Sequence, residues 1–211
     1  MLIQAWDVSP NHCGAVELDS SSGKMTWHSF AATGPTAVKR HPGAVLLPEM
    51  KGATKHAKSC DRITRLFACF SAWAARPGLG LIAIEDYAMG ASQGAHYIGE
   101  IGGVARLAIR LQNVPIRLWG LKSIKKFWTE NGNAKKDDMA EKTAAAGVTF
   151  GYNAQADEDL CDAYALAQLV FAELSLSRGT DPKSLPKHQR EVLCRKVDEG
   201  CMAWQRPLIG A

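Results

Sequence analysis

The sequence predicts an α/β protein, a mixed five-stranded sheet flanked by helices. Three observations predict it. The first thirty residues alternate apolar runs with turn-forming clusters, the pattern of an antiparallel meander. Beyond residue 57, stretches of helical periodicity alternate with short apolar runs, the order of a strand–helix–strand layer. The 211 residues, 46% hydrophobic and 22% charged, suffice for one substantial core.

Residues 2–8 form the first strand, interrupted by Asp7. Aspartate is disfavoured within strands, so its place in an apolar segment asks for a reason. Ser9, Pro10 and Asn11 turn the chain into a second strand over residues 14–18. Ser20 to Gly23 make a hairpin turn, and residues 24–30 the third strand. Residues 31–54 carry several Gly and Pro without periodicity and read as a long loop or insertion. Lys39, Arg40, His41 and Lys51, followed by Lys55, His56 and Lys58, give this region a basic character that suits solvent or phosphate equally.

A helix over 57–75 places Ile63, Leu66, Phe67, Phe70 and Trp73 on one face and ends at Arg76-Pro77-Gly78. Residues 79–86, apolar on both faces, form a buried central strand that finishes in Glu85 and Asp86. A second helix spans 90–112 and a fifth strand 115–118. A short basic helix covers 121–127, a loop 128–133, a helix 134–146, and a long helix 158–177. Residues 1–178 then make one domain with an insertion at about 31–56. The tail, 179–211, holds a helix from about 186 to 203.

The net charge of +4 permits a nucleic-acid partner without demanding one. Six cysteines show no C-x-x-C pairing, so they read as reduced thiols of a cytoplasmic protein. The N-terminus lacks a basic leader region, and no stretch approaches the length of a membrane span. A soluble protein without a membrane partner is expected.

Chemistry concentrates in the stretch from Asp157 to Ala167. Leu160, Ala163, Tyr164, Ala167, Val170, Phe171 and Leu174 recur at helical spacing. Asp159 and Asp162, three apart, share one side of that helix. Asp162 also borders the buried face, and no Lys or Arg follows until Arg178. Taken alone, this is a capped helix start with a solvated acidic turn. The other carboxylates change that reading. Asp7 lies inside the first strand and Glu85 at the carboxyl end of the central one, and sites in α/β sheets gather at such strand ends. If those strands are neighbours and the late helix crosses them, four acids converge. Like charges so gathered raise one another's pKa, and divalent, oxygen-preferring cations such as Mg²⁺ resolve the conflict. Two such ions about 3.5–4 Å apart serve phosphodiester hydrolysis.

These residues resemble the RuvC-like Holliday junction resolvases of the ribonuclease H-like superfamily, and phage or mobile-element versions in particular. The matching stretches are residues 5–10, 84–87, 98–104, Lys125 with 132–136, and 159–167, in the family's order. The resemblance implies a ribonuclease H-like fold and a homodimer joined through the second helix. It implies cleavage of four-way or otherwise branched DNA with two Mg²⁺ per site, Mn²⁺ substituting. Asp7, Glu85, Asp159 and Asp162 would hold the metals, with Lys125 and Lys136 beside the scissile phosphate. Lys122, Lys126 and Lys135 fall on the same basic region as DNA contacts, or as a solvated face. The family's aromatic three residues after the strand glutamate is replaced by Ala88, which leaves Tyr87 to stack on bases or to sit at the surface.

Other readings stay open. The same acids would serve a ribonuclease H-fold nuclease acting on flaps or RNA–DNA hybrids, while a silent junction-binding protein would gain affinity by shedding them. An actin-like ATPase lacks its glycine-rich phosphate loops here. Trp6, Trp27, Trp73, Trp119 and Trp204 read as packing residues, and only Trp128, in the loop by the basic helix, invites a stacking role. His12, close to Asp7, reads as a turn histidine, with an approach to the metals as the alternative, and Asp86, Asp157 and Glu158 read as solvent-facing or as shaping the outer metal shell.

Overall fold

Three antiparallel strands open the chain, as their alternation predicts: β1 (Leu2–Val8), β2 (His12–Asp19) and β3 (Met25–Thr33). The structure, a computed structural model, describes residues 1–9, 12–33, 44–47, 54–86, 95–150, 154–195, 205 and 207–209. Within the expected loop lies a further strand, β4 (Val45–Leu47), parallel to β3. Three residues between Gly- and Pro-rich flanks are too few to show a period. Residues 31–33 of that loop belong to β3, while residues 34–43 and 48–53, and Tyr87, fall outside the described residues.

Helix α1 (Lys55–Ala74) starts where the Thr54 hydroxyl accepts from the Ala57 N–H at 3.2 Å. Then follow β5 (Leu79–Asp86), α2 (Ala95–Leu111), β6 (Ile116–Gly120), α3 (Leu121–Thr129), α4 (Lys136–Ala145) and α5 (Ala154–Ser177). The sheet order is β4-β3-β2-β1-β5-β6. The five expected strands form the mixed sheet, and β4 extends one edge. β5, expected at the centre, lies one strand in from the β6 edge and pairs in parallel with β1 on one side and β6 on the other.

Strand alternation divides the core in two. Ile3 and Ala5 of β1, Leu81 and Ala83 of β5, and Val16 and Leu18 of β2 face α3, α4 and α5. Trp6, Ile82, Ile84, Cys13 and Ala15 face α1 and α2. Buried Ala163, Ala165 and Ala167 keep α5 close to its neighbours. Its far end is pinned to β6, where Glu173 accepts from the Trp119 indole at 3.0 Å and pairs with Arg117. Against expectation, residues 158–177 of α5 are long and apolar enough to cross a bilayer by composition alone, but 67% of that window is buried against this protein's own core.

The tail packs onto the domain. After a 3₁₀ turn (Pro182–Ser184), helix α6 (Lys187–Leu193) buries Val192 and Leu193 in the α5-side core. It stops at Leu193, short of the expected 203, with the Cys194 N–H donating to Arg190 O at 2.8 Å; residues 196–204 lie outside the described ones. Ile209 returns to bridge Ile116 on edge strand β6. The described cysteines are all free thiols, as expected.

Candidate active site

Alternation decides where the acids point. Asp7 follows Ile3 and Ala5 on the α5 side of β1, and Glu85 follows Leu81 and Ala83 on the same side of β5. Because β1 and β5 run parallel and pair through Trp6 and Ile84, both acids reach the same, carboxyl end of the sheet. Here they line a cleft of about 200 Å³ with Ser9, Ile98 and Gly102.

Helix α5 brings the remaining two. Gly14 lies opposite Asp7 in the β1–β2 ladder, and a Cβ there would stand 3.0 Å from Leu160 Cδ2. Its bare backbone lets the second turn of α5 settle over the sheet, carrying Asp159 and Asp162 with Leu160.

The electrostatics report the convergence. Burial pushes the Asp7 carboxyl well above the ordinary carboxylate range, and the charges of Asp159, Asp162 and Glu85 push it further, while Lys136 pulls it back. Burial raises Glu85 to about 7; Asp162 adds to the rise and Lys125 opposes it. Burial raises Asp162 to about 6, with Lys125 opposing and Asp159 adding. Among the described residues, no three His, Cys, Asp or Glu side chains are already drawn to metal-ligating distance of one another. The acids share one end of the sheet without closing into a cage. The donor set still fits a hard divalent cation. It is all carboxylate oxygen, and Asp162 Oδ1 is buried with no hydrogen-bond partner among the described residues.

Two solved structures of Thermus thermophilus RuvC share this architecture at 18% identity. One covers 85% of this chain and 98% of its own, with a TM-score of 0.54. The other, T. thermophilus RuvC in complex with Holliday junction substrate, covers 84% and 95%, with a TM-score of 0.55. The chain has the RuvC fold. No protein-family model matches it, and no curated protein does.

On this RuvC fold the two lysines singled out by sequence stand beside the acids. Lys125 donates to the Ala134 carbonyl at 2.8 Å, which holds α3 against the start of α4, and its charge reaches Glu85 and Asp162. Lys136, on the first turn of α4, pairs with Glu158 at 2.5 Å, and its charge reaches Asp7 and Asp162. Glu158 is therefore an ion-pair partner and not merely solvent-facing. Asp86 likewise pairs with Arg106 of α2 at 3.0 Å, and the Asp157 side chain lies outside the described ones.

The other basic candidates stand apart from the acids. Lys126 pairs with Glu191 of α6 at 2.7 Å, and exposed Lys122 shares with it a groove that Arg195 completes. Lys135 is exposed at the cap of α4, its N–H donating to Asp138 at 2.7 Å. Trp128 is corrected. It belongs to α3, not to a loop, is buried, donates to the Thr143 hydroxyl at 3.1 Å and stacks edge-on against Tyr164.

His12 also departs from its turn reading and lies beside a candidate metal-binding acid, as the alternative had it. It begins β2 and is 8% exposed, its Nδ1 2.8 Å from Asp159 Oδ2 and its Nε2 2.9 Å from Ser29 Oγ. The alternation of Val16 and Leu18, carried back two steps through Gly14, would have placed it on the α5 face. The Pro10-Asn11 turn signal hid that. On the near side of residues 10 and 11, which lie outside the described ones, the Ser9 hydroxyl donates to His12 O at 2.6 Å.

Proposed function

We propose that this protein is a homodimeric, Mg²⁺-dependent endonuclease that nicks branched DNA, the four-way junction above all. The observation that carries the reading is the meeting of Asp7 and Glu85 in one cleft at the carboxyl ends of paired parallel strands of a RuvC-fold sheet, where the charges of Asp159, Asp162 and Glu85 all raise Asp7. Asp7, Glu85, Asp159 and Asp162 are the groups that would hold two Mg²⁺, Mn²⁺ substituting. Bound there, the ions supply Lewis-acid stabilisation of the attacking and leaving oxygens of a backbone phosphate. The chain's own part is to present these oxygens already desolvated, so that cation binding relieves their repulsion.

Lys125, held by the Ala134 carbonyl, and Lys136 place ammonium charge near the same acids, where negative charge on a pentacovalent phosphate would develop. Lys122, Lys126 and Lys135 extend the basic surface for backbone phosphates, and Tyr87 follows the site strand as a base-stacking candidate. Two-fold symmetry would give each subunit one of two equivalent strands. Helix α2 suits that seam. Leu107 and Leu111 are 54% and 59% exposed on its outer face, and among the described residues nothing lies within 4 Å of a Cβ built at Gly99 or Gly103. This reading places the protein in the cytoplasm, bacterial or that of a phage host.

The test is cleavage of a labelled synthetic four-way junction beside matched duplex, flap and RNA–DNA hybrid. Paired nicks in the junction with Mg²⁺ are expected. Asp7→Asn should lower nicking by more than about a hundredfold while junction binding persists. An Asp7→Asn protein that still cuts would remove the assignment.

A further inference from the structure

We infer that His12 is a positioning residue that holds Asp159 in its metal-binding orientation, with Ser29 fixing the imidazole; the inference rests on the metal-dependent reading above. An ionised carboxylate only accepts, so the 2.8 Å contact puts the proton on His12 Nδ1. In the neutral ring Nε2 then accepts from the Ser29 hydroxyl at 2.9 Å. The chain of three links β3, β2 and α5. Ser29 is 4% exposed, His12 8%, and the Asp159 side chain 15%, so water competes weakly for any of them.

Geometry makes this contact the anchor of α5's acidic turn. Gly14 and Leu160 set how close the helix lies, but an apolar contact cannot set the rotation of a carboxylate. The His12 N–H occupies Asp159 Oδ2 and leaves the other oxygen for a cation, the arrangement in which outer groups orient metal ligands. Three residues on, Asp162 carries a buried oxygen with no hydrogen-bond partner among the described residues. One acid is held and the other is left open, so the pair is poised without a cation having to order both.

The experiment is equilibrium Mn²⁺ binding to the full chain without DNA, read by the EPR signal of free Mn²⁺. Two polar variants separate positioning from packing, because an asparagine amide reaches the Nδ1 position and a glutamine amide the Nε2 position. His12→Asn should bind within about threefold of the parent, and His12→Gln about 10–100-fold more weakly. A role confined to filling space or satisfying Ser29 gives the reverse order, and that result, or equal affinities for parent and His12→Gln, overturns the inference. Pulsed EPR should show no nitrogen coupling to the bound Mn²⁺; a coupling would make His12 a ligand and overturn the positioning role. Asp162→Asn separates the two levels. If the parent binds no better than Asp162→Asn, the metal reading itself falls; if Asp162→Asn alone loses the ion, only the His12 inference does.

Discussion

Glu85 shows how a single side chain can work against the fold that holds it. Its carboxyl ordinarily titrates at 4.5 and is raised to about 7 by burial, then by Asp162. Between those values the native protein binds more protons than the unfolded chain, so the slope of stability against pH is negative there. The penalty is absent below about pH 4 and complete above about pH 7. Asp162, raised from 3.8 to about 6, acts in the same sense at the lower end of the window. In chelator, the parent should therefore lose melting temperature as pH rises from 4 to 8. Glu85→Gln should match it at pH 4 and melt higher at pH 8. Parallel curves across that range would show that Glu85 is not held protonated by its surroundings.

At the scale of elements, the site depends on how closely α5 lies on the sheet. Gly14 faces Leu160, which is fully buried, and an added Cβ would sit at 3.0 Å from its Cδ2. Gly14→Ala should cost about 1–3 kcal/mol in denaturant unfolding, the usual range for overpacking. Nicking should fall as well, because Asp159 and Asp162 ride on the displaced turn. Leu160→Ala relieves the clash at the cost of a cavity, so the double variant should be less destabilised than the sum of the two. Strict additivity would mean that the glycine is not there for Leu160.

For the whole molecule the open question is what covers α2. Its outer face combines exposed Leu107 and Leu111 with the space above Gly99 and Gly103, a surface that a second copy could approach closely. Leu107→Glu should turn a dimer into a monomer by light scattering and uncouple the two nicks in a junction. Paired nicking by a protein that is monomeric at working concentration would refute the α2 seam. The mildly basic total charge of +4 gives little guidance here, since Lys126 and Lys136 are already matched by Glu191 and Glu158.

The sequence by itself determined the elements, because strand alternation and helical periodicity are local. Five strands and the long helices fall within a few residues of their expected places, with Leu79–Asp86 matching at both ends. It also singled out two acids, since Asp7 in a strand and Asp162 beside a buried face are anomalies visible in one dimension. Only the tertiary structure decided what those acids touch. The parallel pairing of β1 with β5, the three-residue β4, the burial of Trp128 and the His12–Asp159 contact all join residues far apart in the chain. No local pattern encodes such partners, because the free energy that selects them arises only when the layers close.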